Sequence, residues 1–139
     1  MPKRTSSNSM ETQIGFVFVV EEGNLENKAV LLAESIRKFG GPLHNAPIWA
    51  IQPRKGKGLS QKTLKALAHL DVYYVFADLN RVWPDYPLTN KPIAAAFIES
   101  LTGSQLHTLC FLDTDTLFVN PPLDLILPEG KDVAVRPIH

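Results

Sequence analysis

Short apolar runs alternate with amphipathic stretches along most of this chain. Four runs rich in β-branched and aromatic residues predict strands at residues 14–20, 47–51, 72–76 and 108–112. The first of them is almost continuously apolar, which is typical of a strand that is buried on both faces. Residues with helical spacing lie between the runs, so the chain alternates strand and helix.

Capping residues indicate where the intervening helices begin. Asn24 or Asn27 is expected to cap the first helix, Ser60 the second and Asn90 the third. The apolar residues that share a face are Ala29, Leu32, Ala33 and Ile36 in the first helix, and Leu64, Leu67 and Ala68 in the second. Strands separated by single helices require crossover connections. The pattern therefore predicts an α/β, Rossmann-like fold with a mainly parallel sheet and flanking helices, which binds ligands at the carboxyl ends of its strands.

Length and composition are typical of one globular domain. Residues 1–12 are expected to form a disordered polar tail before a single domain at 13–139. Fourteen basic residues balance fourteen acidic ones, so no nucleic-acid partner is indicated. The one basic cluster, at residues 54–57, contains glycine and is typical of a mobile loop. Cys110 is the single cysteine and is expected to pack in the core.

No apolar run has the length of a membrane span or the form of a signal peptide, so a cytoplasmic location is expected. A short final strand is predicted at residues 133–135.

Two carboxylates, Asp113 and Asp115, directly follow the fourth predicted strand. In an extended backbone, alternate residues project to the same side, so these like charges would repel each other. A divalent cation would relieve that repulsion, and Mg²⁺ is commonly held by one or two carboxylates together with substrate phosphates. The alternative is an ordinary turn in which both side chains accept backbone N–H hydrogen bonds. The pair therefore predicts either a metal–diphosphate site or a structural turn.

The chain from residue 14 to residue 135 resembles the first half of a GT-A glycosyltransferase, close to the retaining galactosyltransferase- and glycogenin-like group. The resemblance is carried by Asn90 and Lys91 at the start of a helix, by Glu99 on that helix, and by the Leu-Asp-Thr-Asp-Thr-Leu run at residues 112–117. It implies a nucleotide-sugar donor, with a UDP-sugar expected, and Mn²⁺ or Mg²⁺ as cofactor.

The resemblance also implies roles for individual residues. Asp115 would bind the metal on the donor diphosphate. Asp113 would contact the ribose or the sugar and could also approach the metal. Lys91 would lie near the donor phosphates, whereas Glu99 is expected to be a surface or structural residue. The loop at residues 21–24 lies where the family seats the nucleotide base, and Asp78 is a further candidate for contact with that base.

Family members carry a further metal-binding histidine motif and the acceptor site downstream of the matched region. The chain ends at His139, so the resemblance implies a truncated, nucleotide-binding half. We therefore expect either a second chain that completes the fold or a domain without full transfer activity of its own. His44, His69, His107 and His139 show no metal-ligand spacing.

Two other functions are compatible with the same residues. One is a non-catalytic nucleotide-binding or interaction module. The other is a haloacid-dehalogenase-like phosphatase, whose D-x-D-x-T-L motif is matched by residues 113–117. In that enzyme Asp113 would attack phosphate and Asp115 would act as acid and base. That motif normally opens its domain, whereas here it lies near the end of the chain.

Overall fold

A computed structural model describes residues 13–135. The predicted tail at residues 1–12 and His139 lie outside the described residues. The strands are β1 (Ile14–Val19), β2 (Ile48–Gln52), β3 (Val72–Phe76) and β4 (Thr108–Phe111). The helices are α1 (Asn24–Phe39), α2 (Gln61–His69) and α3 (Asn90–Thr102). Short 3₁₀ turns lie at Gly41–Leu43, Pro87–Thr89, Gly103–Gln105 and Leu123–Leu125.

The four strands form one parallel sheet in the order β3-β2-β1-β4. Each of the first three strands is followed by a helix that returns the chain to the amino end of the sheet, as the sequence pattern predicts. The chain adds β2 and β3 on one side of β1 and then crosses over to place β4 on the other side. The strand order therefore reverses between β1 and β4. In open α/β sheets, ligands bind in the crevice at such a point, beyond the carboxyl ends of the strands.

Strand β1 lies in the middle of the core and is buried on both faces, as predicted. Phe16 and Phe18 face the layer formed with α1, while Val17 packs on the opposite side with Ala94 and Ile98 of α3. The four predicted apolar residues of α1 are all fully buried. This packing fixes α1 and α3 on opposite faces of the sheet, so that both helices begin near the crevice.

Two predicted helix starts are wrong. Gly23, and neither Asn24 nor Asn27, is the N-cap of α1, with a φ of 95° that favours glycine. Its backbone N–H donates to the Glu26 carboxylate at 3.2 Å, so the first turn is closed from within the helix. Asn90 is the first residue of α3 rather than its cap, because its side chain is used in tertiary hydrogen bonds.

Other predicted local features have mixed outcomes. Ser60 caps α2 as expected, because its hydroxyl accepts the backbone N–H of Thr63 at 3.2 Å. Ala68 is exposed, and the buried face of that helix uses Thr63 and Leu67 instead. Residues 133–135 form no strand and are exposed. Glu99 is exposed as expected, and Cys110 is partly buried against the core, where burial raises its pKa to about 11.

One arginine links the loops at the amino ends of the strands, opposite the crevice. Arg37, in the last turn of α1, donates hydrogen bonds to four backbone carbonyls at 2.7–3.0 Å. These carbonyls belong to His44, Ala46, Leu70 and Asp71, in the loops that lead into β2 and β3. Arg37 thus connects one helix with the loops that enter two strands, at the end of the sheet opposite the acidic pair.

Candidate functional site

A cavity of about 230 Å³ lies at the carboxyl ends of β1 and β4, at the point where the strand order reverses. We call it the first cavity. Asp113 and Asp115 line it from the loop after β4, Lys91 lines it from α3, and Glu21 lines it from the loop after β1. The topology therefore brings together the acidic pair and the lysine on which the family resemblance rests.

The acidic pair lies in a turn. The backbone N–H of Thr116 donates to the carbonyl of Asp113 at 3.0 Å, which closes residues 113–116. The expected extended geometry is therefore wrong, although both aspartates still line the same cavity. Both aspartates are accessible to a ligand. The Asp113 side chain is 52% exposed, and Asp115 is also exposed.

Lys91 forms an ion pair with Asp113, with 2.5 Å between Nζ and Oδ1. The start of α3 places Lys91 beside the loop after β4, which sequence separation alone does not predict. Both side chains are about half exposed, and exposed pairs of this kind usually contribute at most about 1 kcal/mol to stability. The pair can therefore exchange partners at little cost.

Glu21 is held by Arg54 through a two-pronged ion pair, with distances of 2.7 and 2.5 Å. The hydrogen bonds to Glu21 raise the pKa of Arg54. Arg54 also donates to the carbonyl of Pro84 at 2.5 Å. The expectation that this basic cluster is a mobile loop is therefore wrong for Arg54. No sequence signal links residues 33 positions apart, because the pairing depends on β1 and β2 being neighbours.

A buried pair of asparagines ties the start of α3 to the loop after β3. Asn80 donates to the side-chain oxygen of Asn90 at 2.8 Å, and both residues are 2% exposed. Asn90 in turn donates to Glu21 at 3.2 Å. Together with Arg54 they form a polar network, which we call the Glu21–Asn90 network. It fixes the position of the residue next to Lys91, a role that a capping assignment does not predict.

A second cavity, of about 690 Å³, lies at the carboxyl ends of β1, β2 and β3. Asp78 lines this second cavity, where its carboxylate lies 3.5 Å from Lys55 and 3.3 Å from Arg81. Asp78 is thus placed apart from the acidic pair. Glu21 lines both cavities, so the two adjoin.

Within residues 13–135, no group of three or more His, Cys, Asp or Glu side chains is arranged to hold a metal ion. His44 and His107 instead contact the backbone carbonyls of Gly41 and Leu127, each at 2.9 Å. In that part of the chain, no helix is long and apolar enough to cross a membrane.

Comparison with known proteins adds the family. Residues 16–135 match the family described as the Rhodobacterales glycosyltransferase domain. The chain belongs to this glycosyltransferase family. The match spans most of the sequence and includes both cavities, and it confirms the glycosyltransferase part of the resemblance. No curated protein matches the chain.

Family membership favours a glycosyltransferase over the phosphatase alternative for the D-x-D motif. The GT-A type and the galactosyltransferase-like group stay predictions. So do the metal, the truncation, the second chain and the absence of full transfer activity.

Proposed function

We propose that this glycosyltransferase domain binds a nucleotide-sugar donor whose diphosphate is held in the first cavity through a divalent metal ion. The observation that carries the proposal is the convergence of Asp113, Asp115 and Lys91 at the crevice between β1 and β4. Phosphate-bearing ligands of parallel α/β sheets occupy this place. Glycosyltransferase family membership supports a sugar donor as the ligand.

The side chains of the first cavity fit a hard divalent cation. Asp113 and Asp115 supply carboxylate oxygens, which Mg²⁺ and Mn²⁺ prefer, and two protein ligands leave coordination positions for phosphate oxygens and water. Within residues 13–135, Asp115 takes part in no ion pair, whereas Asp113 is paired with Lys91. We therefore propose Asp115 as the principal ligand. When bound, the metal would stabilise the negative charge of the departing diphosphate.

Lys91 is proposed to contact the donor phosphates. Its ammonium is a compact charge on a flexible stem, suited to a phosphate oxygen. Lys91 is paired with Asp113 in the structure. A bound diphosphate offers Lys91 a new partner and leaves Asp113 available to the metal or to the sugar.

The second cavity is proposed to hold the nucleoside. It adjoins the first through Glu21, and its volume lies within the range of about 300–1,000 Å³ that small-molecule sites occupy. Asp78 offers a polar contact there. The choice of uridine rests on the family resemblance.

The test is calorimetric titration of the purified chain with UDP, in the presence and absence of MnCl₂. We expect manganese to tighten UDP binding to the wild type and to have no such effect on Asp115→Ala. Glu99→Ala is the matched control, because Glu99 is an exposed carboxylate that lines neither cavity. This variant should keep the full manganese effect. Equal UDP affinity of the wild type with and without manganese would contradict the proposal and favour the non-catalytic module.

A further inference from the structure

The loop between β3 and α3 exposes an unusual amount of apolar surface. Val82, Trp83, Tyr86 and Leu88 are 76%, 62%, 56% and 56% exposed, within seven consecutive residues. Single exposed apolar residues are common, but a contiguous group of them typically marks a binding surface. The loop lies beside both cavities, so the surface belongs to the functional edge of the sheet.

The backbone that carries these side chains is well anchored. Residues 83–86 form a turn in which the backbone N–H of Tyr86 donates to the carbonyl of Trp83 at 3.0 Å, and Pro84 occupies the position that proline favours in such turns. The buried Asn80 accepts the Trp83 N–H at 3.2 Å, and Arg54 holds the Pro84 carbonyl. The Glu21–Asn90 network therefore fixes the turn while the rings stay exposed.

The two rings are available to a ligand. The first and last residues of such a turn have Cα atoms less than about 7 Å apart, so Trp83 and Tyr86 lie near one another. Across residues 13–135, neither ring stacks on another aromatic ring, and neither the indole N–H nor the phenol O–H has a hydrogen-bond partner. We call these two side chains the aromatic platform.

The platform residues line neither cavity, but their neighbours along the chain line both. Pro84 and Asp85 line the second cavity, while Pro87 and Leu88 line the first. Leu88 follows Tyr86 by two residues, which places their Cα atoms within about 7 Å. The rings are therefore close to the proposed donor site, but the donor does not account for their exposure.

We propose that the aromatic platform binds a saccharide, and, resting on the proposed function, that this saccharide is the acceptor. This differs from the expectation, drawn from the resemblance, that the acceptor site lies downstream of the matched region. A pyranose ring presents an apolar C–H face, which can pack on a flat aromatic ring, and a rim of hydroxyl groups, which need hydrogen-bond partners. Trp83 and Tyr86 offer both an apolar ring and a polar hydrogen-bonding group. Binding on this platform would place an acceptor hydroxyl beside the first cavity, where the reacting sugar is expected.

The charges around the platform favour a saccharide over a membrane surface. Arg81, which is also paired with Asp78, and Asp85 flank the two rings with opposite charges, and both are exposed. Segments that lie on anionic lipid surfaces are instead enriched in basic residues alone. A mixed pair of charges can both donate and accept hydrogen bonds with hydroxyl groups.

The experiment is a titration with maltose, cellobiose, lactose and N,N′-diacetylchitobiose, without nucleotide or metal, monitored by tryptophan fluorescence and by NMR shifts. Trp83 is one of only two tryptophans in the chain, so its emission reports on the platform. We expect saturable binding of at least one disaccharide by the wild type. Tyr86→Ala, which keeps the fluorescent reporter, and Trp83→Ala, followed by NMR, should each weaken binding about tenfold or more.

Phe39→Ala is the matched control, because Phe39 is an exposed aromatic residue at the far end of α1, and this variant should bind like the wild type. Manganese-dependent UDP titration of each variant shows separately whether the donor site is intact. If no disaccharide binds, or if the platform variants bind as the wild type does, the inference is overturned.

Binding of the wild type, but not of Trp83→Ala, to phosphatidylcholine–phosphatidylglycerol vesicles in the absence of any disaccharide binding would also overturn it. If the chain binds a disaccharide but fails the UDP–manganese test, the platform is a saccharide site but not the acceptor site of a glycosyltransferase.

Discussion

Glu26 shows how much a single side chain can connect. Its carboxylate accepts hydrogen bonds from the backbone and hydroxyl of Ser60 and from the hydroxyl of Thr63, at 2.5–3.0 Å, and from the Gly23 N–H at 3.2 Å. The hydroxyl of Thr63, followed by that of Ser60, lowers the pKa of Glu26 to about 2 from an ordinary value of 4.5. The carboxylate therefore joins the start of α1 to the start of α2.

A pH dependence of stability follows. The pKa is lower in the folded chain, so the ionised Glu26 stabilises the fold above pH 4.5, and this contribution is lost as the pH falls from 4.5 to about 2. We expect Glu26→Gln to lower the free energy of unfolding by about 1 kcal/mol at pH 7 and by progressively less below pH 4.5.

Urea unfolding of wild type and variant between pH 7 and pH 2.5 measures this difference. Glu34→Gln on the exposed face of the same helix is the control and should change little. A deficit of Glu26→Gln that stays constant across the whole pH range would contradict the assignment.

At the residue scale, sequence predicted roles that depend on near neighbours. The sequence predicts Ser60 as a cap, because its partner is three residues away. The bonds from Ser60 and Thr63 to Glu26 span 34 and 37 residues, and they exist only because α1 and α2 lie side by side. For the same reason, the sequence does not predict that Asn80 and Asn90 form a buried hydrogen-bonded pair.

At the element scale, Arg37 links α1 to loops that lie up to 34 residues away in the sequence. It satisfies four carbonyls in the loops before β2 and β3, and burial lowers the pKa of its guanidinium. A guanidinium presents five donors in a fixed planar arrangement, which a lysine ammonium does not reproduce.

We therefore expect Arg37→Lys to lower the free energy of unfolding by about 2–3 kcal/mol, because several carbonyls lose their donor. UDP affinity should change little, since Arg37 acts at the amino edge of the sheet. Urea unfolding and UDP titration of the same samples measure both effects. Lys38→Met, an exposed neighbour, is the control. Unchanged stability of Arg37→Lys would show that the carbonyls are satisfied without it.

Element positions were predictable from the sequence to within one or two residues wherever apolar runs decide them. The four strands begin and end close to their β-branched and aromatic runs, because a buried strand requires such side chains along its length. Residues 133–135 have the same composition and form no strand, since β-propensity needs a neighbouring strand to take effect. Helix starts were less predictable, because Gly23 is the N-cap of α1 and the Asn90 side chain makes tertiary hydrogen bonds.

At the scale of the whole molecule, the parallel topology places the acidic motif at the carboxyl ends of the strands, where ligands bind. The order of strands and helices implied that the loop after β4 lies at the ligand-binding edge, and this is where Asp113 and Asp115 lie. The sequence places Asp78 just beyond β3 but does not predict its ion pairs with Lys55 and Arg81, because the loop at residues 77–89 has no repeating pattern.

The charges that line the first cavity determine how donor binding should depend on ionic strength. Lys28 and Lys91 balance Asp113 and Asp115, while Glu21 is neutralised by Arg54. A nucleotide-sugar diphosphate with one divalent ion is also close to neutral. Nearly uncharged partners gain little from long-range attraction, so dissolved salt has little attraction to screen.

We therefore expect the affinity of the manganese–UDP-glucose complex to change less than about twofold between 50 and 500 mM NaCl. The affinity of metal-free UDP-glucose should fall more steeply, because its bare phosphates depend on Lys28 and Lys91. Parallel titrations at several salt concentrations measure both slopes. A steep slope for the manganese complex would show that the cavity carries an uncompensated charge. Two lysines and two aspartates would thus make the domain selective for the metal-bound donor over bare phosphate compounds across a wide range of salt.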